Sequence, residues 1–230
     1  MTTVRIVLVS AVSLFVLALV VFLGYTILTP RSGAIDVVID DMRVIIPAGR
    51  GRLPVVILAH NGGQTRENWG DFPEELAAAG YAVINIGWTD FTGSAELKKG
   101  IETALSRCES RINPRSAAFI GGCHGGIKIL SALESTLPVT VKALVFLSMS
   151  ELYSAPSGHA PILGIYALRD HLGEGYVNTQ KKVYSSVLSD PKTVITLDAT
   201  PHGDELVVEE STRERVRSEI FAWLNRYLYR

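Results

Sequence analysis

The chain has 230 residues, 47% hydrophobic and 20% charged, with a formal net charge of −1, 20 Gly, 10 Pro and two Cys. That length is one domain of roughly 100–200 residues with a short appendage, enough to bury a core. The apolar share excludes a disordered chain and two Cys exclude a disulfide scaffold, while near-neutral charge without a basic block argues against a nucleic-acid partner.

Hydrophobicity is concentrated at the front. Residues 6–28 (IVLVSAVSLFVLALVVFLGYTIL) carry no charge and end just before Pro30-Arg31. As a helix rising about 1.5 Å per residue, the run reaches roughly 34 Å, enough to cross a hydrocarbon core of about 30 Å. An uncleaved anchor is expected. The competing reading is a cleaved signal sequence followed by secretion, but its apolar region usually spans only about 7–15 residues. Arg5 on one side faces Arg31 and Arg43 on the other, so charge does not set the orientation. The short tail before the span favours a domain outside the cytoplasm. The expected division is a tail at 1–5, an anchor at 6–28, a linker at 29–35 and one domain at 36–230.

Within that domain, β-branched runs alternate with helix-period stretches. Residues 36–47 (DVVIDDMRVIIP) read as one or two strands and 54–59 (PVVILA) as a buried strand. A short helix is expected over 71–79, capped by Asp71, with Glu74 three residues on and Gly80 after its end. Residues 81–87 (YAVINIG) form the next strand. Over 94–113, Leu97, Ile101, Leu105, Cys108 and Ile112 recur at helical spacing, and Pro114 stops the run. A strand over 117–121 leads into a glycine-rich turn and a helix to about residue 137. Strands follow at 141–148, 162–168 and 193–198, and a helix with Val216, Ile220, Leu224 and Tyr227 on one face closes the chain. The fold class is therefore α/β, a mostly parallel sheet covered by helices and preceded by one transmembrane helix. In such sheets, chemistry gathers at the carboxyl ends of strands.

Four strand ends carry candidate groups. The first is Gly121-Gly122-Cys123-His124-Gly125-Gly126, between a strand and a helix. A strand reversing sharply into a helix holds one side chain in a strained, exposed turn, and the flanking positions must be glycine because nothing bulkier fits. Cys123 at that tip sits at a helix N-terminus, which favours an anion, and the N–H of His124 can receive an oxyanion. A phosphate loop would need Gly-Lys-Ser/Thr, but Ile127-Lys128 follow Gly126. A cysteine phosphatase would need Arg where Ile129 stands, and a zinc site would need paired Cys and His. Cys108 reads as core.

The second strand end carries Asp170-His171, where a carboxylate can orient an imidazole; Asp198 and Glu151 are reserve candidates. The third carries His202, the candidate base for the thiol proton. The fourth is His60-Asn61-Gly62-Gly63-Gln64, where Asn61 or Gly62 can supply a second oxyanion N–H while His60 packs as a neutral ring holding the loop.

Nucleophile, acid, histidine, in that chain order and each after a strand, resembles the α/β-hydrolases. A cysteine in the elbow resembles the dienelactone hydrolase family, whose Gly-x-Cys-x-Gly-Gly pattern is matched by Gly121, Cys123, Gly125 and Gly126. Asp170-His171 is similar to the family's acid segment and His202 to its base. The resemblance covers roughly 36–230 and implies a triad of Cys123, Asp170 and His202 acting on lactones or small carboxylic esters, with no cofactor. Two departures stand beside it. The family has a glutamate in the loop after the early strand where this chain has His60-Asn61, and its members are soluble and unanchored. The expected function is an ester or lactone hydrolase working through a thioester intermediate. The alternatives are a thioesterase, acyltransferase or peptidase with the same triad, a redox protein using Cys123 and Cys108, or a non-catalytic anchored binding protein.

Overall fold

A computed structural model describes residues 33–49, 51–87, 94–150, 160–186 and 191–229. Residues 34–47 and 51–230 fall in one compact unit, which contains every element below. The expected anchor at 6–28 and Glu151 lie outside the described residues. No helix among the described residues is long and apolar enough to cross a membrane.

Eight strands form one sheet: β1 (Ile35–Ile39), β2 (Met42–Ile46), β3 (Leu53–Ala59), β4 (Ala82–Ile86), β5 (Ile112–Gly122), β6 (Val141–Leu147), β7 (Ile162–Ala167) and β8 (Lys192–Leu197). Their order is β1-β2-β4-β3-β5-β6-β7-β8. The 36–47 segment is two strands, an antiparallel hairpin turning at Asp40, whose φ of 53° lies in the left-handed region. β2 is antiparallel to β4, and all later pairings are parallel. The helices are α1 (Phe72–Ala78), α2 (Ser94–Cys108), α3 (His124–Leu133), α4 (Glu174–Ser186) and α5 (Arg213–Leu228).

Period-2 alternation divides the core. Along β3, Val55, Ile57 and Ala59 face one layer with Leu97, Ile101, Ile129 and Tyr184, from α2, α3 and α4. Val56 and Leu58 face the other, with Phe72, Leu76, Val216, Ile220 and Leu224, from α1 and α5. Both faces of the central strands are covered, which is why they read as unbroken apolar runs.

Two sequence expectations are corrected in detail, and one helix was not expected. The helix expected over 94–113 ends at Cys108, and Ile112 opens β5, where it pairs with Leu53. Ile112 fits the helical period, but a turn closed by Arg111 N–H on the Cys108 carbonyl breaks the helix before Pro114 can. Asp71 does not cap α1 with its side chain; its carboxylate takes the Arg217 guanidinium instead, at 2.6 Å. The segment between β7 and β8 holds α4, which periodicity did not signal.

The chain leaves β3 for β4 on one side and returns to β5 on the other. Such a reversal, here at the carboxyl ends of β3 and β5, is where open α/β sheets bind ligands.

Candidate active site

The turn after β5 lies at that reversal. Cys123 adopts φ 41° and ψ −104°, a strained conformation for a residue with a side chain, and precedes the first residue of α3. The glycines around it are required by contact. A Cβ at Gly121 would strike the Gly126 backbone, and one at Gly125 would strike the carbonyls of Ala59 and His60. One at Gly122 would come within 2.9 Å of the Asp204 nitrogen. The elbow is thus wedged against the ends of β3 and of the His202 loop, and Cys123 N–H is tied to the Leu147 carbonyl at 2.7 Å.

Asp170 and His202, 32 residues apart, meet through a 2.6 Å hydrogen bond between Oδ2 and Nδ1, both side chains almost fully buried. The Leu172 N–H and the Gln180 side-chain amide donate to the same carboxylate at 3.0 Å each. Burial pushes the Asp170 pKa up, but the hydrogen bonds outweigh it and hold the carboxyl below its ordinary value. For His202, burial disfavours the charged ring. The Asp170 hydrogen bond and the neighbouring Cys123 sulfur prevail and push its pKa up to about 9. With Nδ1 committed to Asp170, His202 Nε2 is the nitrogen left for the thiol; it is buried and has no hydrogen-bond partner among the described residues.

The loop after β3 packs against this turn through Ala59 and His60. His60 is buried, and its Nδ1 lies 2.7 Å from the Asn61 carbonyl, a bond that holds the loop. Asn61 N–H is directed to Asp204 at 3.4 Å, and the Gln64 amide donates to both Asp204 oxygens at 2.6 and 2.8 Å in the orientation that satisfies both groups. At the start of α3, the His124 N–H lies in the first turn, where no intrahelical acceptor exists. Of the two loop N–H groups named from sequence, that of Asn61 is thus directed to Asp204.

Asp204 is 1% exposed, and burial pushes its pKa up to about 6 against the hydrogen bonds it accepts. Sequence reading missed this residue, as it missed Gln180, Tyr176 and Ser150. Tyr176 Oη lies 3.8 Å from Cys123 Sγ and 3.3 Å from Ser150 Oγ, and its ring stands edge-on to His202 with centroids 5.2 Å apart. The available signal was the four-residue spacing of Tyr176, Gln180 and Tyr184, which puts them on one helical face.

Other candidates lie elsewhere. Cys108 is a buried free thiol in the α2 core, its pKa raised by burial. Asp198 is exposed and paired with Arg169, and His171 is exposed beside Glu205 at 3.4 Å. A separate cleft of about 260 Å³, lined by Asp41, Gly87, Leu97 and Gly100, contains none of the Cys123 constellation. Among the described residues, no cluster of His, Cys, Asp or Glu could hold a metal ion.

The fold is that of the α/β-hydrolases. No protein-family model matches the sequence. No curated protein matches it either. Solved structures do match in fold. A dienelactone hydrolase from Anabaena variabilis is similar, with a TM-score of 0.60 and 20% identity over 85% of this chain and 97% of its own. A bacterial heroin esterase is similar with a TM-score of 0.63 and 18% identity over 81% of this chain and 79% of its own.

Proposed function

We propose that the protein is a hydrolase of carboxylic esters or lactones, with Cys123 as nucleophile, His202 as base and acid, and Asp170 as the group orienting the imidazole. The observation carrying this reading is the buried Asp170–His202 pair at 2.6 Å beside a strained elbow cysteine. Structural likeness to a dienelactone hydrolase and an esterase supports the substrate class.

In the first half-reaction, His202 Nε2 takes the Sγ proton and the sulfur attacks the ester carbonyl. The carbonyl electrons move onto oxygen, which accepts hydrogen bonds from the N–H groups of His124 and Gly62 at the positive end of α3. Collapse of the adduct expels the alkoxide, which takes the proton from the imidazolium. A thioester on Cys123 and a free alcohol result. Water then gives a proton to His202 and adds to the thioester carbonyl. Breaking the C–S bond returns the electron pair to sulfur and releases the acid, and the imidazolium gives its proton back to the sulfur. The Asp170 hydrogen bond that raises the His202 pKa stabilises the imidazolium formed when the ring takes the Sγ proton. A thioester or a second acyl acceptor would use the same steps.

We further propose that residues 6–28 anchor this domain to a membrane, with the domain outside the cytoplasm. Extraction of the native membrane fraction with alkaline carbonate should leave the protein in the pellet; release into the supernatant would contradict the anchor.

Catalysis is tested with full-length protein and p-nitrophenyl acetate. Cys123→Ala and His202→Ala are each expected to lower kcat/KM by about 10³-fold or more. Equal turnover in all three proteins would overturn the reading.

A further inference from the structure

α4 does more than cover the sheet. Three residues on one of its faces reach the carboxyl end of the strands at successive turns. Tyr184 Oη donates to the Phe146 carbonyl at 2.9 Å and accepts from Met149 N–H at 3.2 Å. Gln180 holds Asp170. Tyr176, nearest the helix start, places its hydroxyl against Cys123 Sγ, while its ring packs on His202. Ser150, buried at the end of β6, directs its hydroxyl to Tyr176 Oη. A sulfur that has lost its proton has no hydrogen to give, so across this contact the phenol O–H is the donor and the sulfur the acceptor.

We infer that Tyr176 is a catalytic residue whose hydroxyl donates a hydrogen bond to Cys123 Sγ and stabilises the negative charge that the sulfur carries when it attacks and again when it leaves. This rests on the hydrolase reading above. Its chemical logic is asymmetric along the reaction. In the thioester the sulfur is neutral and a poor acceptor, so the hydrogen bond contributes little to the intermediate. As the C–S bond breaks during deacylation, the electron pair returns to sulfur and the bond strengthens. The phenol therefore favours the charged sulfur over the acylated one, which speeds departure of the thiolate. Ser150 supports this by polarising the phenol O–H.

The experiment uses full-length wild type, Tyr176→Phe, Ser150→Ala and Cys123→Ala. Phenylalanine keeps the ring against His202 and removes only the hydroxyl, so the melting temperature of Tyr176→Phe should stay near wild type. The first readout is the rate at which iodoacetamide alkylates Cys123 at pH 7, followed on its peptide. Loss of the donor should slow alkylation several-fold, because the charge on the reacting sulfur loses a hydrogen bond. The second readout is p-nitrophenyl acetate turnover. Tyr176→Phe should lower kcat about 10-fold, with a larger burst as the acyl-enzyme accumulates, and Ser150→Ala should lower it less. Wild-type alkylation and wild-type kcat in Tyr176→Phe would overturn the assignment. A wild-type protein with no Cys123-dependent turnover would defeat the hydrolase reading, while the alkylation arm would still decide the Tyr176–sulfur contact.

Discussion

Cys123 occupies a backbone conformation that a side chain resists, and it is kept there because Gly122 and Gly125 let two other segments press against the turn while Gly121 lets the turn close on Gly126. Gly125→Ala would drive a methyl group into the carbonyls of Ala59 and His60. It should cost about 1–3 kcal/mol of stability and abolish most turnover by displacing the loop donors, measured as a urea midpoint and kcat. The buried ionisable groups have opposing pH signatures. His202 has its pKa raised from 6.5 to about 9, so its stabilising contribution is full below pH 6.5 and is lost as pH rises through about 9. Asp204, raised from 3.8 to about 6, favours the fold most below pH 3.8 and loses that contribution as pH rises through about 6. Asp170 is lowered, so its contribution is present above pH 3.8 and is lost on acidification below it. Thermal melts should therefore show stability declining between pH 6.5 and 9, and His202→Gln should flatten that decline. An unchanged slope in the variant would show that other groups cause it.

At the scale of elements, the Gly121–Gly126 turn was legible because its signal is local: a strand, a glycine pattern and a helix within a dozen residues. α4 was not. Its sequence, EGYVNTQKKVYSS, includes Gly175, Asn178 and Thr179, which are weak helix formers, and only Val177, Gln180, Val183 and Tyr184 are buried. Its helicity comes from packing, and its polar residues are kept by what they touch across the sheet. Asp204 was illegible for the same reason, since its partners Asn61 and Gln64 lie more than 130 residues away. Gln180→Leu removes one hydrogen bond to the Asp170 carboxylate while keeping the buried volume. The expected result is a roughly 10-fold fall in kcat with little change in KM, because the imidazole loses orientation while substrate contacts remain.

On the scale of the whole molecule, the sheet order places the loop after β3 beside the turn after β5, although β3 and β5 are separated in sequence by α1, β4 and α2. Alternating strand and helix patterns implied a parallel sheet, but not which strands neighbour one another, since that depends on long-range pairing. The layer of α1 and α5 is clamped by Arg217, which is 5% exposed. Its guanidinium meets Asp71 at 2.6 Å, Glu75 at 2.5 Å and the Val207 carbonyl at 2.7 Å, and lies over the Phe72 ring. The Val207 bond ties the clamp to the turn that follows His202. Arg217→Ala should cost about 2 kcal/mol, read as a lowered urea midpoint, whereas an exposed pair such as Arg169–Asp198 should contribute almost nothing.

The central claim is that Cys123 carries the acyl group. The direct measurement is rapid acid quench of full-length protein mixed with excess p-nitrophenyl acetate, followed by peptide mass spectrometry. The prediction is an acetyl adduct on the Cys123 peptide that forms within the burst and decays on substrate exhaustion. Steady turnover with no acyl group on Cys123, or undiminished turnover in Cys123→Ala, would contradict it.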